Sequence, residues 1–276
     1  MPGPAVELRN VRVVRDGVRV LEDVSWTVDP ADRWVILGPN GSGKTTLLQL
    51  VTGYLHPSSG TADVLGWRLG RTDVRSLRER IAITSGAVAR ALSSGLTALD
   101  VAVTGRTGAL APWWHSADDS VVDEARGRLG EAGLKGAEDR PFAVLSEGER
   151  QRVLLVRMRM ALAELFVFDE PAAGLDLGAR EQLVADLAGM AADPATPAIV
   201  FVTHHVEEIP PGFTSLLLLR AGRVVAAGPL SSTLTGAALG ETFGLPLEVT
   251  CSEDGGRYAA RLAPDSTKGR SADPAL

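Results

Sequence analysis

The segment Gly38-Pro39-Asn40-Gly41-Ser42-Gly43-Lys44-Thr45 has the chemistry of a phosphate cradle. Glycines at 38, 41 and 43 let the backbone adopt positive φ and bring successive N–H groups towards phosphate oxygens. A helix starting at Lys44 would aim its partial positive end at the same point. Lys44 has the charge to neutralise the β- and γ-phosphates of a nucleotide, and the Thr45 hydroxyl, with Thr46 beside it, suits a Mg²⁺ ion. The pattern GxxxxGK[ST] is specific when a strand precedes it and a helix follows, and both are expected here.

A second group of chemical residues ends the apolar run of LFVFDEP, residues 165–171. Asp169 and Glu170 then stand at the C-terminal edge of a parallel strand, where open α/β sheets bind ligands. Asp169 can hold the shell of a metal ion, and Glu170 can orient or deprotonate an attacking water. An acidic pair at a strand end is commonly a helix cap or a solvated turn; beside a phosphate loop the catalytic reading is the stronger one.

In LSEGERQR, residues 145–152, Ser146 stands at an N-cap position, Glu149 three residues on completes a capping box, and Gly148 leaves the backbone open. Such a helix start could receive an anion, although a plain capped helix explains Ser146 and Glu149 equally well. His204 and His205 are neighbours on a segment expected to be extended. Their side chains should therefore point to opposite sides, which argues against a two-histidine metal site. Trp113-Trp114 reads as packing, or as a docking face if exposed, and the run 150–159 as the solvated and packing faces of a helix.

The apolar spacing supplies elements to position these groups. Alternation through 6–14 and 18–28, split by Asp16-Gly17, predicts an antiparallel hairpin. Residues 33–37 form a short buried strand, followed by the glycine-rich turn and a helix over 44–53. Residues 86–143 read as an inserted helical subdomain. After it come a helix over 147–163, strands over 165–168 and 198–203, a helix over 177–190 between them, and a last hairpin reaching about Gly228. Alternating strand and helix implies a parallel core sheet. The expected fold is thus α/β, with an antiparallel β subdomain at the start of the chain and a helical insert. Residues 1–235 form the main domain and 236–276 a C-terminal extension, with one more strand possible in 257–263 and a disordered tail after it.

Composition bounds the function. In 276 residues, 45% hydrophobic but only 5% aromatic, a sizeable aliphatic core is affordable. The net charge of −6, with basic residues scattered among acidic ones, argues against a nucleic-acid partner. The leucine run 216–219 ends at Arg220, far short of a membrane span, and the start MPGPAVELRN has no secretory pattern, so the protein is expected in the cytoplasm. The single cysteine, Cys251, cannot form an intrachain disulfide.

The order of the motifs, from phosphate loop through inserted helices and LSEGE to the acidic strand, resembles the ATP-binding cassette (ABC) family of ATPases over residues 6–235. GPNGSGKT is similar to the Walker A motif, LSEGE to the signature motif, FVFDEP to Walker B, AGLD (173–176) to the D-loop, and the Thr203-His204 strand end to the switch histidine. The resemblance implies a P-loop core that binds ATP and Mg²⁺ and hydrolyses ATP in a head-to-tail dimer. In that dimer Ser146 and Gly148 of one copy would contact the γ-phosphate held by Lys44 of the other. His204 would complete the site, and Asp176 would cross the interface.

Three positions depart from the family pattern. Arg15 stands where an aromatic ring usually stacks on adenine, and its guanidinium plane could stack instead. IAITSGA offers Ser85 or Gly86 where a glutamine usually links the site to a transporter's membrane subunit. Glu147 replaces the first signature glycine, which is tolerable near a phosphate only if its side chain turns away. The resemblance implies the energy-coupling subunit of a transporter, paired with a separate transmembrane permease on the inner face of the membrane. VAVTGR (101–106) is similar to importers of metal chelates. The alternative is a soluble ABC ATPase that remodels a cytosolic partner, a reading the missing glutamine favours.

Overall fold

The computed structural model describes residues 3–92, 95–110, 118–253 and 255–264. Trp113-Trp114 and most of the expected disordered tail lie outside the described residues. In chain order the elements are β1 (Val6–Arg15), β2 (Val18–Val28), β3 (Arg33–Leu37), α1 (Lys44–Val51), β4 (Ser59–Val64), β5 (Trp67–Arg68), α2 (Val74–Glu79) and β6 (Ile81–Ser85). Then come α3 (Gly86–Ala91), α4 (Ala98–Val103), α5 (Asp119–Glu131), α6 (Glu147–Met160), β7 (Leu165–Asp169), α7 (Leu177–Ala192) and β8 (Ala198–Thr203). The last are β9 (Ser215–Arg220), β10 (Arg223–Pro229), α8 (Leu230–Thr233), α9 (Gly236–Phe243), β11 (Leu247–Cys251) and β12 (Tyr258–Leu262).

The expected first hairpin forms, and β4 and β5 join it in an antiparallel sheet of order β2-β1-β4-β5. The core sheet has the order β10-β9-β3-β8-β7-β6, parallel except for β10. Its inner strands β9, β3, β8 and β7 are buried on both faces, so they read as near-continuous apolar runs, and the period of two shows only in which side each residue serves. Trp34, Ile36, Leu165, Val167, Val200 and Val202 face the antiparallel sheet and α1. Val35, Leu37, Phe166, Phe168, Ile199 and Phe201 face α6 and α7.

The inserted helices have a core of their own, in which Val101, Ala125 and Leu129 meet Val153, Leu154 and Val156 of α6. Arg157 fastens the insert from below, since its buried guanidinium donates to Thr104 Oγ1 (3.0 Å) and to the carbonyls of Gly108 (3.3 Å) and Ala109 (3.0 Å). At the other end of the sheet Arg33, also buried, donates to six carbonyls, among them Thr196 and Pro197 (2.9 Å each), and so ties the α7–β8 connection to β3. Burial is tolerable for either cation because its donors are met by oxygens. The elements α9, β11 and β12 pack on the main core: Leu239 is fully buried, and Leu247, Val249, Tyr258 and Ala260 lie against the cluster that holds Val206 and Ile209. Among the described residues no helix is long and apolar enough to cross a membrane.

Candidate active site

Steric exclusion shapes the phosphate loop. A Cβ on Gly38 would stand 2.2 Å from the Leu219 carbonyl oxygen, so Gly38 is required for close approach to β9. This corrects the expectation of positive φ at all three glycines: Gly41 (φ 78°) and Gly43 (φ 106°) have it, and Gly38 does not. The backbone of Ser42 accepts from Gly222 N (2.8 Å), which fixes the loop to the β9–β10 turn. Lys44 follows as the first residue of α1. Its ammonium, only 6% exposed, donates to the carbonyls of Gly38 (2.8 Å) and Pro39 (3.2 Å) and lies 3.4 Å from Glu170 Oε1. Asn40 and Thr45 are exposed beside it, and Thr46 is buried.

The acids come from the neighbouring strands. Asp169 ends β7 opposite Ser85 of β6 and Val202 of β8. Burial, then the charge of Glu170, pushes the Asp169 carboxyl up to about 6, against the pull of Lys44. Glu170 takes φ 48°, a backbone conformation costly for a residue with a Cβ, and its N–H donates to Val202 O (3.0 Å). That turn of the chain brings Oε1 between Lys44 Nζ and His204 Nδ1, the latter 3.3 Å away though outside hydrogen-bond geometry.

The two histidine rings do not point apart. Their centroids are 4.1 Å apart at 42°, because the chain leaves β8 at Thr203 and enters a short 3₁₀ turn, Val206–Glu208. Thr203 Oγ1 accepts from His205 N (3.1 Å) and donates to the buried Glu208, which bends a segment expected to be extended. Among the described residues no three His, Cys, Asp or Glu side chains group to hold a metal.

Lys44, Thr45, Asp169 and Glu170 share a cavity of about 570 Å³. Ser146, Gly148, Gly174 and Asp176 line a different one, of about 420 Å³. The capping box of α6 is present, with Ser146 N donating to Glu149 Oε2 (2.8 Å) and Glu149 N to Ser146 Oγ (3.3 Å). The Ser146 backbone N–H, ahead of the Arg140 guanidinium, holds the Glu149 carboxyl below the usual carboxylate range. Asp176 caps α7 by accepting from Ala179 N (2.8 Å). A Cβ on Gly148 would come 3.1 Å from that of Ala179. Glu147 lines both cavities, and its carboxylate turns to Arg150 (3.2 Å).

Arg15 borders a third cavity, of about 520 Å³, with Thr45 and Asp169, and its Nη1 donates to Gln49 Oε1 (3.4 Å). Ser85, at the strand end where a glutamine was sought, accepts from Val88 N (3.2 Å) and so caps α3. Two residues escaped the sequence reading. Gln151, whose buried Nε2 has no partner among the described residues, lines the 570 Å³ cavity, and its sequence signal is a polar residue on the inner face of α6. Glu208 has no local signal, since its partner is Thr203 across a turn.

A phosphate loop, a strand-end acid pair and an inserted helical layer define a P-loop nucleotide-binding protein of mixed α/β architecture. Residues 21–173 match the family model described as ABC transporter, and the chain belongs to that family as an ATP-binding subunit and ATPase. It is 36% identical over 250 residues to the uncharacterized ABC transporter ATP-binding protein YlmA of Bacillus subtilis (strain 168), covering 90% of this chain and 94% of that one. To the hemin import ATP-binding protein HmuV of Rhodococcus jostii (strain RHA1) it is 34% identical over 253 residues, with coverage of 90% and 83%. Among solved structures, cbiO1 from Clostridium perfringens, part of the ABC transporter complex cbiONQ, superposes with a TM-score of 0.73 at 24% identity, over 86% of this chain and 93% of that one.

Proposed function

We propose that the chain binds Mg²⁺-ATP between two copies arranged head to tail and energises a membrane permease that imports a metal chelate. The observation that supports the pairing is the separation of the two cavities: Lys44 and Glu170 line one, Ser146, Gly148 and Asp176 the other. Glu147 borders both, yet Ser146, Gly148 and Asp176 line the second and not the first, so in this reading the γ-phosphate held by one copy meets that face on the other. Residues 1–235 are the cassette in this reading, and 236–276 its extension.

The residues fit the nucleotide and its metal. Ser42 Oγ is buried without a partner in the loop, and two adjacent carboxylates, one raised by burial, lie opposite a single ammonium. Lys44 would take the β- and γ-phosphates, with the loop from Gly38 to Thr46 around them. Thr45 and Asp169 would hold Mg²⁺, which when bound offsets the charge of the phosphates. Glu170 orients or accepts a proton from the attacking water, and His204, against its Oε1, keeps that carboxylate in place. Hemin and cobalt import are named for two relatives at 34% and 36% identity, and they support a metal-chelate cargo and a seat at the inner face of the membrane.

Glu170→Gln is the test. ATP binding should persist while hydrolysis slows by a factor of about 100 or more, and light scattering should show ATP-trapped dimers. Normal turnover with only monomer present would overturn the sandwich. Recovery of a multi-span protein with the chain from solubilised membranes tests the permease.

A further inference from the structure

The C-terminal ribbon β11–β12 lies outside the stretch that matches the family model, yet it reaches the turn that follows His204. Arg257, at its edge, forks onto Glu181 of α7 through Nη1 (2.5 Å) and Nη2 (3.0 Å), and Nη2 also donates to the carbonyl of Glu207 (2.9 Å). Ala260 N donates to Glu207 Oε1 (3.3 Å). Glu207 belongs to the 3₁₀ turn Val206–Glu208, and Glu181 sits in the helix that Asp176 caps. One guanidinium therefore joins the segment carrying His204 to the helix carrying Asp176.

The remaining hydrogen bonds of residues 204–209 run within that segment and to Thr203: Glu208 N to His205 O, Ile209 N to Val206 O, His205 N to Thr203 Oγ1, and Thr203 Oγ1 to Glu208. Among the described residues, its hydrogen-bonding anchors from elsewhere in the chain are Arg257 and Ala260. A lone surface ion pair would contribute little. A planar fork that also holds a carbonyl fixes geometry, because the three bonds through Nη1 and Nη2 are made together at one orientation of the group.

We propose that Arg257 is a positioning residue for ATP hydrolysis: it clasps the turn after β8 to α7 and thereby holds His204 against Glu170. The proposal rests on the reading of His204 and Glu170 as residues of the hydrolytic site. A misplacement of about 1 Å at such a site costs up to about 100-fold in rate. The clasp acts through another residue, so its loss lowers turnover by less, about ten-fold, and leaves nucleotide capture by the remote phosphate loop intact.

The experiment measures ATP turnover and calorimetric ATP affinity for the full chain and for Arg257→Ala, Arg257→Lys, Glu181→Ala, His204→Ala and the Arg257→Ala/His204→Ala pair. Arg257→Ala should lower kcat about ten-fold with KM and ATP affinity unchanged. Lys should restore part of the rate, and Glu181→Ala should act in the same direction by less. With His204 already replaced, Arg257→Ala should add less than about two-fold, the mark of a shared pathway. An unchanged kcat in Arg257→Ala, an equal loss in both backgrounds, or a loss of ATP binding in both Arg257→Ala and Glu181→Ala would overturn the clasp. Normal turnover in His204→Ala alone would instead remove the role of His204, a failure distinguishable from the others.

Discussion

The two cavities solve opposite problems. At the phosphate loop the chain leaves its charges and donors unbalanced: among the described residues the Ser42 hydroxyl has no partner, one ammonium faces two adjacent acids, and burial, then the charge of Glu170, raises the Asp169 carboxyl. At the signature segment the chain satisfies itself, since Ser146 and Glu149 cap each other and Asp176 caps α7. The first cavity is thus poised for a ligand on its own. The second is a finished surface whose chemistry needs something brought to it. Binding should follow the first cavity and pairing the second, and substitutions can separate the two.

Lys44→Ala should have the largest effect, because a buried charged hydrogen-bond donor to phosphate is lost. ATP affinity should fall by about 100-fold or more in calorimetry, and an unchanged affinity would take the first cavity out of the mechanism. Gly148→Val should do the reverse. The new side chain meets Ala179, where a Cβ already comes within 3.1 Å, so the face of α6 is altered while ATP affinity of the chain alone stays within about two-fold. ATP-dependent pairing, followed by light scattering on Glu170→Gln with and without Gly148→Val, should disappear.

Asp169 gives the comparison a pH axis. Its folded pKa of about 6 lies above the ordinary 3.8, so between those values the folded chain keeps a proton that the unfolded chain has lost. Stability of the nucleotide-free protein should therefore fall as pH rises from about 4 to 6 and then level off, by on the order of 2 kcal/mol after allowing for solvent screening. Asp169→Asn should flatten that part of the urea-denaturation profile. A slope that survives the substitution assigns the titration elsewhere. The smallest effect belongs to Arg15, at the rim of the neighbouring cavity. Arg15→Tyr should bind ATP at least as well as the parent and Arg15→Lys several-fold worse, a loss of about 1 kcal/mol if the planar face stacks. Equal affinities for all three would leave Arg15 as a solvated hairpin residue bonded to Gln49.

What the sequence made legible was set by the range of each signal. Residues 33–37, 165–169 and 198–203 are apolar runs flanked by turn chemistry, so β3, β7 and β8 were readable to within a residue, and the capping box at Ser146 is a four-residue pattern. β4, SGTADV, was not readable. It has one clear apolar alternation and owes its conformation to β1, more than fifty residues of chain away at Val6↔Val64. Gly38 looked like the other loop glycines because sequence cannot show that Leu219 lies against it. The bend after Thr203 depends on Glu208, and the clasp of Arg257 on Glu181 spans 76 positions. Neither leaves a local pattern.

The order of the core sheet also has a consequence for synthesis. β3 is made early, yet its sheet neighbours β8 and β9 begin at Ala198 and Ser215, about 160 residues or more after Leu37. At roughly 5–20 residues per second the ribosome delivers them roughly 8–36 s later. One side of β3 finds early cover, since Trp34 meets Trp26 edge to face at 5.6 Å. Val35 and Leu37, on the other side, lack their helical cover until α6 and α7 emerge. During that interval the nascent chain presents an unpaired apolar strand next to its phosphate loop, and the loop's glycine at 38 cannot be seated until Leu219 has left the exit tunnel.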